Sequence, residues 1–92
     1  MNESKPKILS ALGYLVRQHR TKLGISQEEL GLRANLDRTY ISGVERGVRN
    51  PSLTALVSLA GGLGISVSVL LNGLEAEFHT QNEQKQGCSK EK

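Results

Sequence analysis

Residues 26–46 read Ser26-Gln27-Glu28-Glu29-Leu30-Gly31-Leu32-Arg33-Ala34-Asn35-Leu36-Asp37-Arg38-Thr39-Tyr40-Ile41-Ser42-Gly43-Val44-Glu45-Arg46. Ser26 and Glu29 match the S-x-x-E capping box. In it the serine hydroxyl accepts the third backbone N–H and the glutamate reaches back to the serine N–H. The spacing predicts a short helix over 26–34, with Leu30 and Ala34 inward. Asn35 breaks it. Asp37 is the next N-cap candidate and opens a helix over 38–46, with Ile41 and Val44 inward. Gly47 stops that helix. Two short helices joined by Asn35-Leu36 form a helix-turn-helix unit.

The pattern continues on both sides. Upstream, Leu9, Leu12, Val16, Arg20 and Leu23 mark one face of a helical period, and Gly24 ends it. Residues 1–8 contain Pro6, lack a period and are expected to form a flexible arm. Downstream, Asn50-Pro51-Ser52 is a turn followed by a cap. Leu53, Leu56, Val57, Ala60 and Leu63 then predict a fourth helix. Gly61 and Gly62 each cost about 1 kcal/mol in a helix interior. The helix is therefore expected to fray there or to pack closely against a neighbour. Ser66 caps a fifth, short helix with Val67, Leu70 and Leu71, and Leu74 and Phe78 extend its stripe. The expected organisation is an arm over 1–8, a domain over 9–78 and a polar, disordered tail over 79–92. The fold class is all-α, a compact bundle of five short helices.

Composition narrows the function. Ninety-two residues make one small domain, with 37% hydrophobic and 23% charged residues. Tyr14, Tyr40 and Phe78 are the only aromatics, which argues against a sheet that stacks RNA bases. The single cysteine, Cys88, excludes an intrachain disulfide or a multi-cysteine zinc site. His19 and His79 have no metal-ligand spacing, so no metal and no cofactor are expected. No run approaches ~20 apolar residues and no secretory signal stands at the N-terminus, so no membrane is expected and the cytoplasm is the expected compartment. The net charge of +3 comes from the first half, and residues 50–72 carry no charge. A basic half suits a polyanion, and an uncharged apolar stretch suits a core or interface.

A helix-turn-helix acts by geometry. The major groove of B-DNA admits one α-helix, and base edges there carry a donor and acceptor code. The second helix must expose polar groups near its N-terminus. Here it offers Arg38, Thr39, Tyr40 and Ser42 outward.

Residues 12–71 resemble the lambda-repressor/Cro-like helix-turn-helix domain, the xenobiotic-response-element family of bacterial regulators. The resemblance is carried by Leu12-Gly13, Val16-Arg17, Arg20, Gly24-Ile25-Ser26-Gln27-Glu28-Glu29-Leu30, Tyr40-Ile41-Ser42, Glu45-Arg46-Gly47, Pro51-Ser52-Leu53 and Leu59-Ala60. Asn35-Leu36-Asp37-Arg38-Thr39-Tyr40-Ile41-Ser42 also resembles restriction–modification controller proteins. Two positions depart from the pattern. Gly31 replaces the usual alanine, which predicts a looser first motif helix. Gly43 stands where a long groove reader is common and contributes no side-chain contact.

The resemblance implies roles. Gln27 binds a phosphate at the positive end of its helix. Arg38 reads a base edge, most simply guanine O6 and N7. Thr39 and Ser42 meet bases or backbone, and Tyr40 meets a phosphate or a thymine methyl. Arg46, Arg49 and Asn50 grip the backbone. Arg20 lies on an apolar stripe where an unpaired charge is costly, and the resemblance pairs it with Glu45. The apolar segment 66–78, with Val67, Leu70, Leu71, Leu74 and Phe78, is expected to form a two-fold dimer interface, although neighbouring Leu70 and Leu71 cannot both face the partner. A reader of palindromic DNA needs two recognition helices ~34 Å apart.

The expected function is that of a dimeric, sequence-specific regulator of transcription acting on a double-stranded operator, as a repressor or an autoregulating controller. RNA polymerase is a further partner where such a regulator activates. The alternatives are an antitoxin-type regulator and a protein-interaction module on the same fold. No catalytic constellation is expected.

Overall fold

The computed structural model describes residues 4–76. Five α-helices are present among them: α1 (Ser4–Leu23), α2 (Gln27–Ala34), α3 (Arg38–Glu45), α4 (Leu53–Leu63) and α5 (Val67–Leu70). A further helical turn opens at Leu74, and the described residues contain no strand. Phe78 and the expected tail lie outside the described residues.

Local chemistry sets most boundaries. Ser26, Ser52 and Ser66 each precede a helix, and each hydroxyl accepts the backbone N–H three residues on, at 3.0, 3.2 and 3.1 Å. That satisfies one of the donors a helix start leaves open. The second half of the expected capping box is not made. Glu29 instead accepts from Arg33 Nε at 3.0 Å along its own helix. Asp37 holds the N-cap position of α3, but its carboxylate makes no cap bond. It accepts from the Thr39 hydroxyl at 3.2 Å.

Two expectations about the helices are corrected. α1 starts at Ser4, so residues 4–8 are helical rather than an arm. Pro6 lies in the first turn, where the missing N–H has no intrahelical acceptor to lose. Gly31 does not loosen α2. It is buried, and a β-carbon there would sit 2.5 Å from the Leu36 carbonyl oxygen. The Leu36 N–H donates to the Gly31 carbonyl at 2.8 Å, with Asn35 at a left-handed φ of 59°. The tight turn between α2 and α3 thus requires a residue without a side chain at position 31.

The core sits where the helices cross. Val16 from α1, Leu30 from α2, Ile41 and Val44 from α3, Leu59 from α4 and Leu70 from α5 are fully buried. α2 packs on both α3 and α4, and α1 packs across α3 and α4. Gly62 supplies the close approach expected of one glycine of the pair. A β-carbon there would lie 3.1 Å from both Ala34 and Leu30. Gly61 faces open space. The apolar stripes overrun the core at their ends: Leu23, Leu53 and Val57 are exposed. No single helix among the described residues is long and apolar enough to cross a membrane.

Candidate nucleic-acid interface

α3 has two faces because Ile41 and Val44 anchor one of them in the core. The opposite face carries Arg38 and Thr39, both exposed, at its N-terminal end, then half-buried Ser42, then exposed Arg46 at its C-cap. Arg38 makes no hydrogen bond or ion pair among the described residues, so all of its donors stay available. Arg46 Nε reaches the Ser42 hydroxyl at 3.3 Å. That bond ties Ser42, an expected base reader, to its neighbour one turn on.

The chain then folds back on the helix. Gly47 adopts φ +77°, a left-handed conformation that glycine takes at no steric cost. Its N–H donates to the Val44 carbonyl and the Val48 N–H to the Gly43 carbonyl, both at 3.0 Å. This paired cap of a helix end, the Schellman arrangement, returns Arg49 over the outer face of α3. The Arg49 guanidinium carbon lies 5.3 Å from the centre of the Tyr40 ring, within cation–π range. Gly43 is buried beneath the Arg49 stem. The groove-facing place that Gly43 was expected to leave empty is therefore covered by a side chain from the following loop. Sequence reasoning missed this, although Gly43, Gly47 and Arg49 at these spacings carried the signal. Tyr40 is half-buried and packs against the core on its other side. Asn50 is exposed beside Arg49 and ahead of the buried Pro51.

Beneath this face, α1, α2 and α3 meet in a polar network. Arg20 Nε and Nη2 donate to the two Glu45 carboxylate oxygens at 2.6 and 3.0 Å. Arg20 Nη1 donates to the Ile25 carbonyl at 2.9 Å. The side chains are 13% and 4% exposed. The hydrogen bond and the charge of Glu45 hold the Arg20 guanidinium above its ordinary pKa, against the opposing effect of burial. Gln27 joins the network, its amide donating to Glu45 at 3.0 Å. The Gln27 amide is thus engaged within the protein, because Glu45 has an acceptor to spare. Its backbone N–H remains at the start of α2. Glu45 is neutralised within the protein, so the outer face of α3 keeps the charge of Arg38, Arg46 and Arg49 against Asp37 alone.

The expected apolar interface divides. Leu70 is fully buried in this chain's own core, which removes it from the interface residues. It follows Ser66 by one turn, and that turn points it inward onto α1 and α4. Val67, Leu71 and Leu74 are half-buried at the edge of the core, next to Val69, which is exposed. Among the described residues no three His, Cys, Asp or Glu side chains cluster as a metal site.

The helix-turn-helix family profile matches residues 16–70. Control protein C.MunI of Mycoplasma sp is 41% identical over 77 residues, which cover 84% of this chain and 100% of that protein. The restriction-modification controller protein C.AhdI from Aeromonas hydrophila is a solved structure with 45% identity and a TM-score of 0.66, over 67% of this chain and 94% of that one. The controller protein C.Esp1396I, solved as a tetramer in complex with its natural 35 base-pair operator, is similar at a TM-score of 0.71 and 38% identity. The match covers 77% of this chain and 93% of that one.

Proposed function

The chain belongs to the helix-turn-helix family, and we propose that it is a dimeric, sequence-specific regulator of transcription that binds a double-stranded operator through α3. One observation carries this reading. α3 is locked on one side by Ile41 and Val44 and presents an unpartnered Arg38 at the N-terminal end of its other side. A helix held this way can enter the major groove end-first without losing its own packing. Arg38 then reads a base edge, and Thr39 and Ser42 lie alongside. Arg46, Arg49 and Asn50 follow the groove onto the backbone, and the start of α2 at Gln27 offers N–H groups to a neighbouring phosphate.

A palindromic operator needs two copies of α3 one helical turn of DNA apart, ~34 Å. Val67, Leu71 and Leu74, with Phe78 beyond the described residues, are the proposed contact between copies. The apolar edge exposed at Val69 supports that choice. The reading places the protein in a bacterial cytoplasm, as a repressor or an autoregulating controller, with RNA polymerase as a partner where it activates. No chemical step is involved.

Salt tests the reading. The logarithm of affinity for duplex DNA should fall steeply and linearly with the logarithm of salt concentration, because arginines that neutralise phosphates release counterions. A module that binds a protein through apolar contacts gives a flat salt response and no retention of DNA.

A further inference from the structure

We propose that Gly43 is a positioning residue for DNA recognition: it leaves the berth in which Arg49 lies across the outer face of α3. The inference rests on the reading of α3 as the DNA-binding helix. Three features of the backbone and side chains converge on it. Gly47 reverses the chain through the paired cap at Val44 and Gly43, which brings residue 49 back alongside the helix that ended at residue 45. The Arg49 stem then crosses Gly43. A β-carbon at Gly43 would sit 2.6 Å from Arg49 Cγ and 3.5 Å from its Nε, and the first distance is closer than carbon atoms tolerate. The Arg49 head ends over Tyr40, whose ring face attracts the cation.

The consequence is that Arg49, a backbone-gripping arginine, takes the place on the outer face of α3 that a long side chain at position 43 would fill. A long side chain at position 43 would be flexible and would start from the helix itself. Arg49 instead arrives from the loop with its stem packed and its head stacked, so less rotamer freedom remains to be lost on binding DNA. Gly43 is helical with no left-handed φ, and Arg49 is the side chain that a β-carbon would meet. Alanine at this position therefore suits the helix backbone better than glycine does. Its one expected penalty is to turn Arg49 out of the berth. Stability and DNA affinity are thereby separated, which a purely structural glycine would not allow.

The test is a double-mutant cycle with Gly43→Ala and Arg49→Ala. Affinity is measured on the duplex that the wild type enriches from a random DNA pool, and melting temperature is measured in parallel. Gly43→Ala should melt at or above the wild type yet bind about tenfold more weakly, the weight of one charged hydrogen bond. In the Arg49→Ala background the same change should alter affinity by less than about twofold. Wild-type affinity in Gly43→Ala, or an equal loss with and without Arg49, overturns the proposal. If the wild type enriches no duplex, the regulatory reading fails and the role in DNA recognition fails with it. The Arg49 Nε–H resonance of the free protein then shows independently whether the berth exists, through an upfield shift from Tyr40 that Gly43→Ala abolishes.

Discussion

Replacing Arg20 by methionine should be among the most destabilising single changes in this chain, and its size follows from the hydrogen bonds that disappear with the guanidinium. Arg20→Met removes two hydrogen bonds to Glu45 and one to the Ile25 carbonyl. Glu45, at 4% exposure, is left with the Gln27 amide as its remaining side-chain donor. Breaking a buried ion pair by deleting one partner costs about 3–5 kcal/mol. The surviving Gln27 bond offsets part of that, which places the loss near about 3 kcal/mol. Against a total stability of about 5–15 kcal/mol for a domain, this is a large fraction. The exposed pair Glu29–Arg33 is the internal control, with both side chains more than 40% exposed. Arg33→Ala should cost less than about 0.5 kcal/mol. The double change Arg20→Met with Glu45→Leu should recover most of the loss, short of about 1 kcal/mol for the Ile25 carbonyl left without its donor, while the half-buried Gln27 amide, which loses Glu45 as acceptor, turns to water. Urea unfolding followed by circular dichroism measures all four proteins, the wild type included. Because the folded state raises the Arg20 pKa, the arginine's contribution is complete below the ordinary arginine range. It fades only as pH rises through the folded value, so the loss should not vary across neutral pH. Arg20→Met within about 1 kcal/mol of the wild type, or a double mutant no better than Arg20→Met, would refute the reasoning.

Three further outcomes are expected. Arg38→Ala should lose about 1–3 kcal/mol of operator affinity and relax preference at one base pair per half-site, as read by binding to single-base operator variants; unchanged base preference would remove Arg38 as a reader. Leu70→Glu should unfold the chain because it buries a charge in the monomer core, whereas Leu71→Glu and Leu74→Glu should leave a folded monomer without the avidity of paired half-sites. Sedimentation and circular dichroism separate the two classes, and a Leu70→Glu dimer would contradict the assignment. Gly62→Ala should destabilise, since its β-carbon meets Ala34 and Leu30 at 3.1 Å, while Gly61→Ala should gain up to about 1 kcal/mol on the open side of α4; thermal melts that rank them the other way would overturn the packing argument.

The helices could be read from the chain wherever their limits are local. Ser26, Ser52 and Ser66 cap within three residues, and such bonds do not depend on the rest of the fold. The start of α1 was less legible, because Pro6 breaks a helix interior yet suits a first turn, and spacing alone does not say which applies. Periodicity finds an apolar stripe but not where the stripe outruns its neighbours, so Leu23, Leu53 and Val57 read as core and are exposed. Leu70 and Leu71 were separable only in that both cannot face the same way; the packing of α5 on α1 and α4 selects Leu70 for the core. In the candidate interface, the exposed start of α3 follows from Ile41 and Val44 alone. The engagement of Gln27 with Glu45, and the covering of Gly43 by Arg49, depend on elements that are distant in sequence or reversed by a turn. No periodic pattern encodes them.

Selection of bound duplexes from a random double-stranded pool by the full chain tests the central claim most directly. The predicted result is an enriched motif with two-fold symmetry, its half-sites about one helical turn apart, and a strong preference at one base pair in each half that Arg38→Ala removes. Recovery of unenriched sequence, or of a motif that survives Arg38→Ala unchanged, would contradict it.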